Sequence, residues 1–364
     1  MKQPWHAIGG GIMGLLCARE LRLAGESVVI IDRQTVSKEA SWAGGGILSP
    51  LYPWCYSAPV HALAHWSQAR YPTLIQELAQ TTGLDAQWTP SGLLVFGVEE
   101  PEQAGEWAAT HGVDLKRLTP AEVCGIEPLV SSALGAALWS PEVAQVRNPR
   151  LLAALCAELR QLGVEFRENI EVTGFSEHAG QLMGIHTTAG PINTHRCLVA
   201  SGAWSGKLLA STGIALPIKP MKGQMLLLSA PGVPLKRIIL NHHRYLVPRR
   251  DGRILVGSTL EDTGFEKSTT AAARHDLLQA AREMVPNLAH CPVESHWAGL
   301  RPGSPDGVPY IGEHPGISGL FVCSGHFRNG IVLGPASARL AVDLMLERAP
   351  IVDPAPFRLL RADN

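Results

Sequence analysis

The chain has 364 residues, 46% of them hydrophobic and 17% charged, with a formal net charge of −1. That length predicts two domains rather than one core, and the near-neutral charge offers no handle for nucleic acid or an anionic membrane surface. No apolar run is long enough for a spanning helix, and the first strand starts within four residues, leaving no room for a signal peptide. The seven cysteines form no CxxC pair, which predicts free thiols in a cytoplasmic protein.

The first unit is Ala7-Ile8-Gly9-Gly10-Gly11-Ile12-Met13-Gly14, set between a short strand and a helix carrying Leu15, Leu16, Leu21 and Leu23. Asp32, followed by Arg33, closes the next apolar run, Val28-Val29-Ile30-Ile31. This order of strand, turn, helix, strand and acid predicts a dinucleotide site. Gly9 permits the tight turn, Gly11 lets backbone approach a pyrophosphate, and Gly14 packs helix against strand. The helix amides at Ile12 and Met13 and the positive dipole end face the phosphates. Asp32 accepts hydrogen bonds from ribose hydroxyls, and NAD and FAD fit this unit equally.

A loop of small residues follows, Ser41-Trp42-Ala43-Gly44-Gly45-Gly46-Ile47-Leu48-Ser49-Pro50. Trp42, flanked by those residues, is expected at a cofactor wall. A helix is expected over about 61–80, then short strands such as Leu93-Leu94-Val95-Phe96 from Gly92 onward. Asn148-Pro149 opens another helix, with proline well placed in its first turn. Strands near 163–166, 170–172, 182–185 and 197–200 are expected to return to the first domain. Segments 221–228, 238–247 and 254–256 read as strands of one antiparallel sheet. Helices over about 270–284 and 330–346 complete the chain.

The alternation predicts an α/β plus α+β protein, a Rossmann-like domain interleaved with an antiparallel-sheet substrate domain. The dinucleotide domain is assigned to 1–85, 142–215 and 297–364, and the substrate domain to 86–141 and 216–296.

The second glycine-rich helix entry is Ser324-Gly325-His326-Phe327-Arg328-Asn329-Gly330-Ile331. A flavin gains negative charge at one ring edge on reduction, so a helix N-terminus and Arg328 beside it would be stabilising. A nicotinamide gains nothing comparable. Arg301, at the turn Gly299-Leu300-Arg301-Pro302-Gly303, has the planar fork that matches a carboxylate. Tyr245, in His243-Arg244-Tyr245-Leu246-Val247-Pro248, is expected to add a hydroxyl donor. His61 and His65 lack a third ligand, and His242-His243 lacks any neighbouring cluster, so no metal is expected. No GxSxG elbow or phosphate-binding Gly-Lys-Ser/Thr loop occurs.

Together these segments, with Ser201-Gly202-Ala203-Trp204-Ser205 and Pro220-Met221-Lys222-Gly223-Gln224, resemble the glycine/D-amino-acid oxidase family of FAD-dependent amine oxidases over nearly the whole chain. That resemblance implies oxidative deamination of glycine, sarcosine and small D-amino acids to the imino acid and then the 2-oxo acid, with O2 reduced to H2O2. A role in thiazole assembly for thiamine and a homotetramer are also implied. FAD is expected to be non-covalent, because Cys323, the one cysteine between Arg301 and Gly330, lies in a strand. Its contacts would come from Gly9, Gly11, Ile12, Met13, Gly14, Asp32 and Arg33. Others would come from Ser41, Trp42, Ala43, Gly44, Gly45 and Ile47, from the backbone of Val172, and from Gly202. His326, Arg328, Asn329, Gly330 and Ile331 complete the set. The substrate would meet Arg301, Tyr245, Arg328, His243, Leu48 and Leu260, with no side-chain base required for hydride transfer. A flavin dehydrogenase using another acceptor, or a non-catalytic flavoprotein, are the alternatives.

Overall fold

Strands Trp5–Ile8 and Val28–Ile31 are buried at every residue and pair in parallel. The four apolar residues of Val28–Ile31 suit a strand covered on both faces, and the one polar residue of Trp5–Ile8, His6, is buried with its Nδ1 3.0 Å from Thr194 Oγ1. The two strands form the centre of a sheet whose order is Glu165–Arg167, Val28–Ile31, Trp5–Ile8, Cys197–Val199, Ile317–Ser324, Gln181–Thr187 and Val172–His178. Tyr310–His314 and Gly190–Asn193 add antiparallel edges. The computed structural model describes residues 3–361 of the chain.

Helix Ile12–Leu23 lays Leu15, Leu16 and Leu21 into the core. The last helix, Gly330–Met345, packs directly on it. Gly334 allows that approach, since a Cβ there would lie 2.9 Å from Leu16 Cδ1. Helix Ala58–Thr82 packs on this last helix and reaches the first through Glu77, which accepts from Arg19 at 2.9 Å; its buried Tyr71 donates to the carbonyl of Ile331. These three contacts hold the two glycine-rich helix entries at fixed positions on one side of the sheet.

The second sheet runs Val293–Gly303, Lys219–Ser229, Arg253–Gly257, Arg244–Pro248, Ile238–Asn241, Leu93–Phe96, Ala137–Ser140 and Lys116–Leu118. It is antiparallel except where Ile238–Asn241 meets Leu93–Phe96. Helix Ala271–Met284, capped by the Thr270 hydroxyl, buries Leu277, Ala281 and Met284 against it.

Two sequence expectations change here. Segment 238–247 is a hairpin rather than one strand, because the chain reverses at His242, whose φ is 48°. A boundary at 297 falls inside strand Val293–Gly303, whose pairing with Lys219–Ser229 continues to Gly303. Arg301 therefore belongs to the antiparallel sheet. All seven cysteines are free, and no described helix is long and apolar enough to cross a membrane.

Candidate active site

A cleft of about 440 Å³ runs between the sheets, with the Gly9–Gly14 turn at one part of its lining and Tyr245 and Arg301 at another. The volume lies within the range of small-molecule and cofactor sites. Gly9 takes φ of +108°, and a Cβ there would sit 2.5 Å from the carbonyl oxygen of Ala200. A Cβ on Gly14 would lie 1.9 Å from the carbonyl oxygen of Gly9. Side chains are thus excluded where the backbone must be bare. Gly14 itself stays behind the lining as a packing position, while Gly9, Gly11, Ile12 and Met13 reach the cleft.

Asp32 lines the cleft beyond this turn and already accepts from the amides of Gly10, at 2.7 Å, and Gln34, at 3.0 Å. Burial pushes its carboxyl above the usual range despite those two bonds. Arg33 stacks 3.6 Å from the centre of the Trp204 ring and pairs with Glu39 at 2.8 Å. Ser41 Oγ accepts from the Ile12 amide at 2.9 Å and so occupies one N-terminal donor of the helix. Ala43, Gly44, Gly45, Ile47, Val172 and Gly202 also line the cleft, as do His326, Arg328, Gly330 and Ile331.

The other end is built on three glycines. Gly223 lies where a Cβ would come 2.2 Å from Arg301 Nη1. Gly45 and Gly257 flank Tyr245, and Cβ atoms there would lie 2.9 Å from its Cε2 and 2.4 Å from its Cζ. The ring and the guanidinium fill space that any other residue would take. Arg301 donates to Ser258 Oγ at 2.7 Å and to the carbonyls of Thr259, at 3.2 Å, and Lys222, at 3.4 Å. Those partners are neutral, so the cation faces the cleft with no acid bonded to it among the described residues. Burial, and then the charge of Arg328, lower its pKa, while Tyr245 opposes the shift. A guanidinium stays protonated under physiological conditions even so. A guanidinium fork in this setting can pair with an anion that presents two oxygens.

Arg249 braces this end. It is half-buried and donates to the carbonyls of Gly45, at 2.8 Å, and Val146, at 3.0 Å, and to Gln145 Oε1 at 2.7 Å. Burial holds its pKa down to about 10. Tyr52, in the left-handed region at φ 56°, donates its hydroxyl to the carbonyl of His242. That bond fastens the loop after Pro50 to the hairpin turn.

Several expected contacts fall elsewhere. Trp42 does not line the cleft: it packs edge-on against Trp297, ring centres 5.6 Å apart, within the one-turn helix Ala40–Ala43. Leu48 is 2% exposed in the core, and its neighbours Ser49 and Leu51 reach the cleft instead. Leu260 is 45% exposed and outside the lining. His243 is also exposed and off the lining; partial burial, Arg328 and Arg244 lower its pKa. Asn329 is buried behind the lining, where it precedes helix Gly330–Met345. Cys323 lines the cleft from within its strand. His61 meets Trp107 Nε1 at 3.2 Å, and His65 is exposed.

Residues 7–344 match the DAO family model, described as FAD dependent oxidoreductase. The chain belongs to this family of FAD-dependent oxidoreductases. It is 48% identical to the glycine oxidase of Pseudomonas aeruginosa over 358 residues, 98% of both chains. It is 35% identical to the bifunctional protein ThiO/ThiG of Trichormus variabilis over 94% of this chain and 52% of that one. Among solved structures, glycine oxidase from Geobacillus kaustophilus superposes with a TM-score of 0.94 at 32% identity, covering 99% of this chain and 98% of that one.

The cleft fits the family's cofactor. Besides the bare glycine turn, His326 Nε2 and Ser201 Oγ are buried lining atoms without a partner, and Asn329 Nδ2 is a third such atom just behind. Buried polar atoms are rarely left unpaired, and a polar ligand along this wall would satisfy them. Gly223, Gly257, Ser258, Arg249 and Tyr52 had no role in the sequence reading. Their part depends on which residues face each other across strands: Met221 pairs with Arg301, and Tyr245 with Gly257. The signal available in the sequence was glycine inside strands, which often marks a close approach.

Proposed function

We propose that the chain oxidises glycine and other small amines, such as sarcosine and small D-amino acids, with dioxygen as electron acceptor. The observation that carries this reading is Arg301 beside Tyr245 on a glycine floor, opening into the same cleft as the Gly9–Gly14 turn. A structural flavin needs no half-buried arginine facing its cleft without an acid partner. The names of the relatives, glycine oxidase above all, support the same substrate.

A flavin held by the Gly9–Gly14 turn and the His326–Ile331 helix entry would supply two-electron chemistry, coupling oxidation of the amine to an imine with reduction of O2 to H2O2. Water would then hydrolyse the imine to the 2-oxo acid and ammonia or an amine. Arg301 clamps the substrate carboxylate, and the Tyr245 hydroxyl adds a neutral donor. The glycine floor fixes both groups, so the clamp sets the position of the substrate carbon, and such positioning supplies much of the acceleration. Ser258 and the carbonyls of Thr259 and Lys222 hold the guanidinium plane. Arg328 adds positive charge near the helix entry, which favours negative charge developing there. No side chain is required as a base: the ammonium proton leaves to solvent. The free thiols fit a reducing compartment such as the cytoplasm, and kinship to ThiO/ThiG supports a place in thiamine thiazole synthesis.

Purified protein should be yellow and should release peroxide with glycine, sarcosine, D-alanine or D-proline, in step with a 2-oxo acid or aldehyde product. A colourless protein contradicts the cofactor. Bleaching of the flavin without peroxide release overturns the oxidase in favour of a dehydrogenase.

A further inference from the structure

Met225, Gly257 and Tyr245 occupy one row across three adjacent strands, since Met225 pairs with Gly257 and Gly257 with Tyr245. Ordinarily the middle residue of such a row separates its neighbours. Here it has no side chain, and the Tyr245 ring lies across it: a Cβ on Gly257 would be 2.6 Å from the tyrosine oxygen. The hydroxyl therefore reaches Met225 and donates to its Sδ at 3.5 Å. Met225 is only 2% exposed, yet it lines the active cleft. It packs with Ile47 and Leu255 in a cluster that Leu51 and Tyr52 extend. A soft, oxidisable sulfur thus sits inside the space where the proposed reaction makes its peroxide.

We propose that Met225 is a site of oxidation by the enzyme's own product, and that its sulfoxide weakens substrate binding; this rests on the oxidase reading above. A sulfur lone pair attacks one peroxide oxygen, the S–O bond forms and the O–O bond breaks. Sulfur loses two electrons and peroxide gains them. The proton on the transferred oxygen passes to the leaving hydroxide, with the Tyr245 hydroxyl as relay, and water departs. A thioether is a weak acceptor, whereas a sulfoxide is polar and accepts strongly. The Tyr245 hydroxyl then stays on Met225 rather than turning to the substrate carboxylate. The consequence is a higher KM with bound flavin unchanged. Met183, 39% exposed on the other sheet, is the internal comparison because bulk peroxide reaches it first.

The test is peptide mass mapping of the holoenzyme after increasing numbers of glycine turnovers, with and without added catalase, while peroxide is measured. The expected result is one added oxygen on Met225 that grows with turnover and persists under catalase, while catalase spares Met183. KM for glycine should rise several-fold in parallel and recover after treatment with methionine sulfoxide reductase on gently opened enzyme. Met225→Leu, which conserves volume, should hold its own KM constant through the same number of turnovers. Peroxide release with Met225 intact, or Met225 fully protected by catalase, overturns this proposal alone. Absence of peroxide overturns the oxidase reading and this proposal with it.

Discussion

At the glycine-turn end of the cleft the ligand-facing groups are mostly backbone, set by Gly9, Gly11 and the first turn of helix Ile12–Leu23. At the arginine end they are side chains, Arg301 and Tyr245, laid over glycines that contribute nothing but room. Both ends depend on glycine, for opposite reasons. In the first, a Cβ would break the fold around the ligand, because the nearest atoms are carbonyl oxygens that cannot move. In the second, a Cβ would push a functional side chain aside while the fold survives. Damage at one end should abolish cofactor retention, and damage at the other should raise KM in a flavin-loaded protein.

The largest effect is expected at the turn. Gly14→Ala places a Cβ 1.9 Å from the Gly9 carbonyl oxygen, and Gly9→Ala adds an unfavourable φ of +108° to a similar clash. Either should cost on the order of 3–5 kcal/mol, seen as loss of bound flavin per chain and a lowered melting temperature. Normal flavin content in both variants would break the contrast.

Next comes Arg301→Ala. Removing the bidentate partner of a desolvated carboxylate should cost about 3–5 kcal/mol of transition-state binding, read as a fall in kcat/KM at unchanged flavin content. Arg301→Lys should recover little, since an ammonium lacks the fork. Parallel loss of flavin and substrate binding would assign Arg301 a structural role. Gly223→Ala sharpens the comparison without replacing either functional side chain. Its Cβ would lie 2.2 Å from Arg301 Nη1, so the guanidinium must shift, with up to ~10²-fold lower kcat/KM for a displacement near 1 Å. Flavin content should again be normal.

The smallest effect concerns the support beneath the clamp. Lys222, 2% exposed, pairs with Glu261 at 3.0 Å, and Glu261 also accepts from Gln224 at 2.9 Å and from Thr259. Burial pushes the Glu261 carboxyl up, but the bonds from Thr259, Gln224 and Lys222 outweigh it and hold its pKa below the usual value. A depressed folded-state pKa means stability present above the unfolded value of 4.5 and lost as pH falls through the lower folded one. Melting temperature should therefore drop on acidification below about pH 4.5. Glu261→Gln should cost about 1–3 kcal/mol at neutral pH and show a flatter acid limb. An unchanged acid limb would remove Glu261 from the account.

Much of this was legible in the sequence because local spacing encodes it. The turn at Gly9–Gly14, the acid at Asp32 and the helix entry at Gly330 each lie within one strand–turn–helix unit, where residue separation fixes geometry. Arg301 and Tyr245 were legible as side-chain types suited to a carboxylate, although their meeting depends on a register that one strand does not reveal. The hairpin at His242 was hidden because its turn carries two histidines where glycine or asparagine commonly mark such a reversal. Leu48 and Leu260 were placed by likeness alone, and side-chain direction at a loop cannot be read that way; one points into the core and the other outward. Gly223 and Gly257 were visible as letters, but their purpose appears only when the neighbouring strands supply the ring and guanidinium above them.

The most direct measurement of the central claim is an anaerobic titration of the flavin-loaded protein with glycine, followed by admission of air. The visible flavin band should bleach at saturating glycine, return with oxygen, and leave peroxide and glyoxylate in equal amounts, while Arg301→Ala bleaches only at far higher glycine. A wild-type band untouched by glycine, or an Arg301→Ala protein that bleaches at the same concentration as wild type, would contradict it.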